Sequence, residues 1–334
     1  MTAVVARSRT KSSGLRPMEP DRDLAGVANL IQSAFAEELD RNGQGMLREM
    51  RGMSRLGPLL WWLDQFSVEF NELFSGFVWV EEGQIVGNVT VSRAAPSSRR
   101  WVISNVAVAS LYRGRGIAQA LMDAAIELVR EWHGSAISLQ VRNDNLPALH
   151  VYHKLGFHEA FGTAYLRLDR VPPVKPPPLD PDRFRLIQFS GADGRKAYQL
   201  AQTVIPEEEQ IERPIRRSQY NLGFEDRLGE WSRRLIGGGP ALRLVQEIRG
   251  NFDATVIAAP GTWWEENRLT LMVHPSSRGT IEQDLIGHGL RYLGHWPQHP
   301  TLARHPTYHP EGIEAFRAYG FREERTLVWM RREM

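Results

Sequence analysis

The chain of 334 residues contains no cysteine. This absence excludes disulfide bonds, a thiolate nucleophile with its covalent acyl intermediate, and every cysteine-based zinc or iron–sulfur site. Long apolar runs are missing as well: the stretch Gly57–Trp62 is far shorter than the roughly 18 residues that a membrane helix requires. We therefore expect no membrane-spanning segment.

Neither sign of charge predominates. The net charge is only +2, from 41 basic and 39 acidic residues, and no basic run is interleaved with aromatic residues. Neither feature favours a nucleic-acid partner. Residues 1–13 are basic but lack an apolar core of signal-peptide length, so we interpret them as a flexible leader and predict a cytoplasmic protein.

A proline-rich segment, Val171–Asp182, divides the sequence into halves of similar size. Its prolines favour extended polyproline-II geometry and remove the backbone donors that helices and sheets need. We predict a domain over residues 14–170, a semi-rigid linker over 171–182, and a second domain over 183–334.

The first half has the pattern of an α/β protein with a mixed sheet. Two alternating β-branched runs joined by Glu82-Gly83 predict a hairpin, and apolar residues at three- and four-residue spacing over 116–133 predict an amphipathic helix. The full order is β-α-β-β-β-α-β-α-β, which places helices on the faces of the sheet.

The second half repeats this order. Val273, Arg278 and Gly279 lie 165 positions after Val108, Arg113 and Gly114, and "AYGF" at 318–321 corresponds to "KLGF" at 154–157 with a one-residue offset. The correspondence predicts a tandem duplication, with two copies of one α/β domain.

The run from Arg113 to Ala118 connects a predicted strand to the amphipathic helix. Several backbone N–H groups at a helix start have no intrahelical acceptor, and together with the helix dipole they form a cradle for an anion such as a diphosphate. The glycine spacing fits neither a P-loop nor a dinucleotide fingerprint. The alternative is a basic turn that only caps the helix.

Together with a second motif further on, this turn resembles the GNAT superfamily of acetyl-CoA-dependent N-acetyltransferases. The first family motif, Arg/Gln-x-x-Gly-x-Gly/Ala, is matched by Arg113, Gly116 and Ala118, and it follows a strand of the matching type at Asn105–Val108. The second motif is matched by five residues: Asn145, Ala148, Tyr152, Gly156 and Phe157.

The resemblance implies a GNAT fold in tandem form, with acetyl-CoA as co-substrate and no metal. In such proteins a bulged strand splays from its neighbour and binds the pantetheine arm, a role that falls on the backbone of Val106 and Val108. Asn145 would contact the same arm. The diphosphate would lie on the remaining turn residues: Arg113, Gly114, Arg115, Gly116, Ile117 and Ala118.

The resemblance also implies direct attack of an amine on the thioester. The Val108 amide would polarise the carbonyl, and Tyr152 is the candidate general acid; the alternative is that Tyr152 packs on its helix with its hydroxyl in solvent. No base is evident, since the related ribosomal-protein alanine acetyltransferases carry Glu where this chain has Gln140.

The base is therefore left open between a water chain and a carboxylate. The water chain would pass Ser104, Asn105 and Gln140. The candidate carboxylates are those of four glutamates in the first half: Glu37, Glu38, Glu69 and Glu72. Each of these side chains also suits a solvated helix face. Trp61, Trp62 and Phe66 suggest a partly apolar acceptor site, or else an ordinary core helix.

The second copy departs from the motif. Ile281, Gln283, Phe316 and His309 stand where the first copy has Gly116, Ala118, Tyr152 and Asn145. A branched Ile and a long Gln crowd a cradle and Phe cannot donate a proton, so we predict a degenerate half without coenzyme. The histidines between Gly294 and Pro310 lie in what we expect to be a proline-broken loop, which argues against zinc.

We therefore predict an N-acetyltransferase that moves acetyl from acetyl-CoA to a primary amine of a small molecule or peptide. Two alternatives stay open: a non-catalytic acyl-CoA sensor, and an enzyme of the same fold that uses a longer acyl group. The sequence leaves the acceptor and the oligomeric state undetermined.

Overall fold

The structure is a computed structural model that describes residues 13–35, 75–95, 98–187, 191–221 and 238–334. The predictions for the leader (except Ser13), for Trp61, Trp62 and Phe66, and for the four glutamate candidates lie outside the described residues. All other predicted site residues lie inside them.

The first half contains the predicted order of elements. They are β1 (Gly14–Pro17), α1 (Pro20–Ala34), β2 (Ser75–Glu81), β3 (Gln84–Arg93), β4 (Arg100–Val108), α2 (Ile117–Glu131), β5 (Ala136–Arg142), α3 (Leu146–Lys154) and β6 (His158–Leu168). The predicted hairpin is confirmed, because Glu82 and Gly83 join β2 to β3 with φ of 51° and 82°, the conformation that a tight two-residue turn requires.

In its described residues, the second half repeats the series of the first half with one short additional helix. Its elements are β7 (Phe184–Leu186), α4 (Gly191–Val204), α5 (Glu207–Glu212), β8 (Leu242–Ile248), β9 (Asn251–Ala259), β10 (Asn267–Val273), α6 (Glu282–Leu293), β11 (Thr301–Pro306), α7 (Pro310–Ala318) and β12 (Arg322–Glu333). The mixed α/β class predicted from the sequence is confirmed.

One local expectation was wrong. Strand β11 lies inside the histidine-rich segment that we expected to be a loop broken by proline. Residues 301–305 contain no proline, and β11 pairs in parallel with β10, starting at Thr301 opposite Asn267. Pro306 is the last residue of the strand, a place where the missing N–H is tolerated.

The chain forms two compact units. Unit 1 contains residues up to 140 together with 146–158 and 330–334, and unit 2 contains residues 141–145 and 159–329. The strand order is β1-β2-β3-β4-β5 in unit 1 and β12-β6-β11-β10-β9-β8-β7 in unit 2, to which residues 322–329 of β12 belong. Strand β6 thus belongs to the second unit although it follows α3 directly. The domain boundaries predicted from the sequence stay a prediction.

In unit 1 a helix packs on each face of the sheet. On one face α1 contributes Leu24, Val27 and Ile31 to a buried cluster with Val78 and Val80 of β2. On the other face α2 lies close to the β3 backbone. A Cβ built at Gly87 would lie 2.9 Å from Ile117 Cγ2, so glycine at this position permits the close approach of the α2 side chains.

In unit 2 strand β6 is part of the core. Ala164, Leu166 and Leu168 are buried in the same cluster as side chains of α6 and α7. The strand pairs antiparallel with β11 from Thr163–Pro306 to Leu168–Thr301. The core of unit 2 therefore depends on residues that precede the proline-rich segment.

A fragment starting at residue 171 lacks β6 and therefore part of the unit 2 core. We expect residues 171–334 alone to unfold at a clearly lower temperature than unit 2 in the full chain, because burial of Leu166 and Leu168 stabilises the core by about 3–6 kcal/mol and the edge of β11 is exposed. Thermal unfolding followed by circular dichroism measures this.

The control is the full chain cleaved at an inserted protease site within 171–182 without separation of the pieces. We expect it to keep the unfolding temperature of the intact chain. An isolated fragment as stable as the nicked chain contradicts the assignment of β6 to the unit 2 core.

Candidate functional site

Strand β4 carries a β-bulge. Asn88 of β3 lies opposite Ala107 and Thr90 lies opposite Ser104, so two residues of β4, Asn105 and Val106, face one residue of β3. Asn105 has φ of 52°, in the left-handed region that asparagine tolerates better than most residues. The bulge redirects the last part of β4.

The same part of β4 extends beyond its pairing with β5. The parallel ladder runs from Arg100–Ala136 to Ile103–Leu139, and β4 continues to Val108. Val106 and Val108, the residues predicted to bind through their backbone, both lie in this extension and are half-buried. A bulge followed by a splayed strand end is the feature that the sequence resemblance implied.

The turn after β4 opens the helix start to solvent. Gly114 and Gly116 have φ of 75° and 78°, and a Cβ at either would meet no atom within 4 Å. Gly116 is the N-cap of α2, and its cap has no side-chain hydrogen bond. The first amides of α2 therefore face open space at the positive end of the helix dipole, as an anion cradle requires.

Both arginines of the turn donate side-chain hydrogen bonds to backbone carbonyls. Arg113 Nε donates to the Val108 carbonyl at 3.1 Å, and Arg115 Nη2 donates to the Leu111 carbonyl at 3.1 Å. The Arg115 guanidinium also lies 4.9 Å from the ring centre of Tyr112. Both side chains hold positive charge beside the exposed amides while they fix the course of the turn.

Tyr152 is buried on α3, with 6% of its surface exposed. Burial raises the pKa of its phenol to about 12, so the hydroxyl stays protonated at neutral pH. Its ring centre lies 6.1 Å from that of Phe157. Arg332 Nη1 donates to the Leu155 carbonyl at 2.8 Å, a favourable position for a cation at the end of the helix that carries Tyr152.

The remaining predicted residues are placed differently. Gln140 is exposed at the end of unit 1. Asn145 is exposed, its backbone amide donates to the Arg142 carbonyl at 3.1 Å, and it belongs to unit 2. The β4 extension, the turn and Tyr152 therefore share unit 1, whereas the predicted contact of Asn145 with the coenzyme stays a prediction.

The second copy reproduces the backbone of the turn. Strand β10 ends at Val273, a 3-10 turn follows at Pro275–Ser277, and Gly279 has φ of 77°. Each feature lies 165 positions after its equivalent in the first copy. The copies diverge at the last turn residue, since Ile281 has φ of −127° where Gly116 has 78°.

In this second turn a carboxylate of the chain itself accepts the backbone amides. Glu282 Oε1 accepts from the Gly279 amide at 2.8 Å and Oε2 accepts from the Ile281 amide at 3.1 Å. Glu282 is 3% exposed. Burial opposes ionisation, but the hydrogen bonds from His309 and these backbone amides together lower the pKa of Glu282. The carboxylate acts as an internal anion in the cradle.

Two buried histidines extend this arrangement. His309 Nε2 lies 2.9 Å from Glu282 Oε1, and His305 Nε2 lies 2.9 Å from His309 Nδ1. Burial lowers the pKa of His305 to about 3, so its ring is neutral. With its proton on Nε2, a neutral His305 donates to His309 Nδ1, and His309 donates in turn to Glu282. Sequence reasoning missed this network, although the four-residue spacing of the histidines was visible.

Within the described ranges, no group of three or more histidine, aspartate, glutamate or cysteine side chains is placed to hold a metal ion. Among the same residues, no helix combines the length and apolar composition needed to cross a membrane.

Comparison with known proteins finds a family match in the first half. Residues 36–157 match the family model described as acetyltransferase (GNAT) family. This part of the chain, well under half of its length, is similar to the GNAT family. The match covers the β4 extension, the turn and Tyr152, which are the features that the sequence motifs singled out.

Curated relatives match short segments of the chain. Streptothricin acetyltransferase of Streptomyces lavendulae is 37% identical over 76 residues, which are 23% of this chain and 40% of that protein. An L-amino acid N-acetyltransferase of Escherichia coli is 37% identical over 87 residues, 25% of this chain and 54% of that protein. The chain thus spans less than two thirds of either relative.

Solved structures resemble the whole chain. A GCN5-related N-acetyltransferase from Sphaerobacter thermophilus superimposes with a TM-score of 0.61 at 15% identity, over 96% of this chain and 95% of that one. A tandem GNAT protein from the clavulanic acid biosynthesis pathway gives 0.52 at 19% identity, over 96% and 98%. The chain has the tandem GNAT fold.

The neutral state of His305 generates a prediction about stability. Burial lowers its pKa from 6.5 to about 3 in the fold; the charges of His309 and Arg278 lower it further, and that of Glu282 opposes the shift. The unfolded chain takes up the proton first, so stability is full above pH 6.5 and falls below it by about 1.4 kcal/mol per pH unit. We expect His305→Asn to flatten this fall.

Urea unfolding between pH 7.5 and 4.5 measures the effect. The matched control is His133→Asn, which replaces an exposed histidine at φ of 52°, where asparagine is tolerated. We expect the control to keep the wild-type slope. An unchanged slope in His305→Asn contradicts the buried neutral histidine.

Proposed function

We propose that the GNAT domain transfers acetyl from acetyl-CoA to a primary amine of a small molecule or peptide. The observation that carries the proposal is the open turn at Gly116, which exposes the first amides of α2 beside the splayed end of β4. Such a turn suits a diphosphate, and an extended strand end suits the amide-rich arm of the same coenzyme.

The space for an anion at the turn differs between the two copies. In unit 1 nothing lies within 4 Å of a Cβ on Gly114 or Gly116, so an anion has room to approach the amides. In unit 2 the corresponding amides donate to Glu282. We therefore propose that the chain binds one coenzyme, in unit 1, and that the second copy serves as a structural partner without coenzyme.

In the proposed reaction a neutral amine attacks the thioester carbonyl, the C–S bond breaks, and the amine nitrogen loses a proton. The Val108 amide donates to the carbonyl oxygen, where negative charge develops. No covalent enzyme intermediate forms, in agreement with the absence of cysteine.

Tyr152 acts on the departing sulfur. Its pKa of about 12 is well above that of an ordinary thiol, about 8.5, so complete proton transfer to the thiolate is unfavourable. We propose that Tyr152 stabilises the thiolate by donating a hydrogen bond, and that the proton released by the amine ends on the sulfur or in solvent. A carboxamide such as Gln140 cannot accept that proton, so water is its proposed acceptor.

The acceptor class is proposed from the names of two relatives. The names of two relatives state streptothricin and L-amino acids as what those proteins acetylate. For this chain we propose an amine of a small molecule or peptide, and a panel of such amines with acetyl-CoA tests it. Consumption of acetyl-CoA with none of them favours a non-catalytic acyl-CoA sensor, and preference for a longer thioester favours the other alternative.

Removal of the Tyr152 hydroxyl tests the chemical step. We expect Tyr152→Phe to lower kcat by about 100-fold with little change in acetyl-CoA affinity, because only the hydrogen bond to the developing negative charge on sulfur is lost. We also expect wild-type kcat to show no loss up to pH 10 from ionisation of Tyr152, since its pKa is about 12.

Steady-state kinetics gives kcat and its pH dependence, and calorimetry gives the affinity for acetyl-CoA. Tyr112→Phe is the control: it removes a hydroxyl near the turn but keeps the ring against which Arg115 lies. If Tyr152→Phe and Tyr112→Phe turn over equally, Tyr152 has no role in the reaction.

A change at Gly116 tests the cradle. We expect Gly116→Val to weaken CoA binding by more than tenfold, because a branched residue resists φ of 78° and its side chain covers the amides. Gly83→Val is a matched control, since Gly83 has φ of 82°, equally open surroundings and a place in the β2–β3 turn.

Calorimetry of both variants and the wild type measures the affinity and stoichiometry of CoA binding. We expect one CoA per wild-type chain, wild-type affinity for Gly83→Val despite its strain, and a large loss for Gly116→Val alone. Two coenzymes per chain, or equal losses in both variants, contradict a single site at the unit 1 turn.

A further inference from the structure

Asn88 is a fully buried carboxamide in the middle of the unit 1 sheet. It lies on β3, opposite Val78 of β2 on one side and Ala107 of β4 on the other. Its exposed fraction is 0%. Buried polar side chains destabilise a fold unless their hydrogen bonds are made, so the contacts of Asn88 require an explanation.

The amide of Asn88 holds the bulge. Its Nδ2 donates to the carbonyl oxygen of Asn105 at 3.0 Å, and it lies 3.4 Å from Thr90 Oγ1. The Asn105 side chain also donates to Thr90 Oγ1 at 3.4 Å. Since a carbonyl only accepts, the Asn105 contact fixes which end of the Asn88 amide is nitrogen.

The other end of the carboxamide has no partner. Among the described residues, Asn88 Oδ1 is buried without a hydrogen bond. Such an orphaned acceptor costs about 1–3 kcal/mol. A valine, like Val78 opposite, would fill the site without this cost, so packing alone does not account for an asparagine here.

The contact with Asn105 controls a neighbouring donor. The carbonyl of Asn105 and the N–H of Val106 belong to one peptide group, which is planar and trans, so they point in opposite directions. Because Asn88 Nδ2 holds the Asn105 carbonyl on its own side, the Val106 N–H of the same peptide group must point away from Asn88. Asn105 is held in a left-handed conformation that a strand does not otherwise favour, so without this contact the peptide group has freedom to rotate.

We propose that Asn88 is a positioning residue for the coenzyme arm. It holds the Asn105 carbonyl and thereby aims the Val106 amide at the arm, without touching the coenzyme itself. The inference rests on the proposed function, because it presumes that the β4 extension binds the arm of CoA. It assigns a role to a strand that neither sequence motif includes.

Two ligands separate this role from that of the turn. CoA carries both the diphosphate and the arm, whereas ADP carries a diphosphate without the arm. We expect Asn88→Ala to weaken CoA about tenfold, to leave the weak binding of ADP within twofold of the wild type, and to raise KM for acetyl-CoA more than it lowers kcat. Calorimetry and competition with ADP in the acetyl transfer assay measure these values.

The control for a merely structural effect is Val78→Ala. Val78 is paired with Asn88, is buried and belongs to the α1 core, and it lies on the side of β3 away from β4. The loss of its buried methyl groups destabilises the same sheet, and we expect the variant to bind CoA and ADP like the wild type.

A second variant covers the case that Asn88→Ala unfolds. Asn88→Val fills the site without an orphaned acceptor and offers no donor to the Asn105 carbonyl, so we expect the same selective loss of CoA. The inference is overturned if both variants bind CoA like the wild type, or if they lose CoA and ADP equally. A wild-type protein that gives no heat with CoA overturns the proposed function instead.

Discussion

The extra residue in β4 is the constraint on which the candidate site depends. With Asn105 and Val106 opposite one residue of β3, the strand leaves the direction of its parallel ladder after Ile103 and carries Val108 toward the turn. The turn then presents the first amides of α2. The direction of these donors is set by backbone geometry, and the fixed side chains of Asn88 and Arg113 hold that geometry in place.

The two copies show one backbone turn with two different partners. In unit 1 the left-handed Gly116 leaves the start of α2 exposed. In unit 2 Ile281 takes another conformation, and the next residue, Glu282, turns its carboxylate back onto the amides. The second turn satisfies its own donors, and the buried His309 and His305 complete the arrangement. The departure of the second copy from the motif therefore coincides with a gain of internal hydrogen bonds.

The sequence predicts what is decided locally. The hairpin at Glu82-Gly83, the helix after Gly116 and the repeated turn at Gly279 all follow from spacing and from glycine, and the structure contains them. Strand β11 was missed because its stability comes from pairing with β10 and β6, which no local pattern reveals. Asn88 was missed for the same reason, since its partner Asn105 lies 17 residues away on another strand.

The membership of residues 330–334 in unit 1 has a consequence for synthesis on the ribosome. Met334 donates its amide to the Ser135 carbonyl, and Arg332 holds the end of α3. These residues are translated about 180 positions after α3, a delay on the order of ten to forty seconds at usual elongation rates. Until then unit 1 lacks the segment that anchors the helix of Tyr152, so a nascent chain carries the first copy in an unfinished form while the second copy is made.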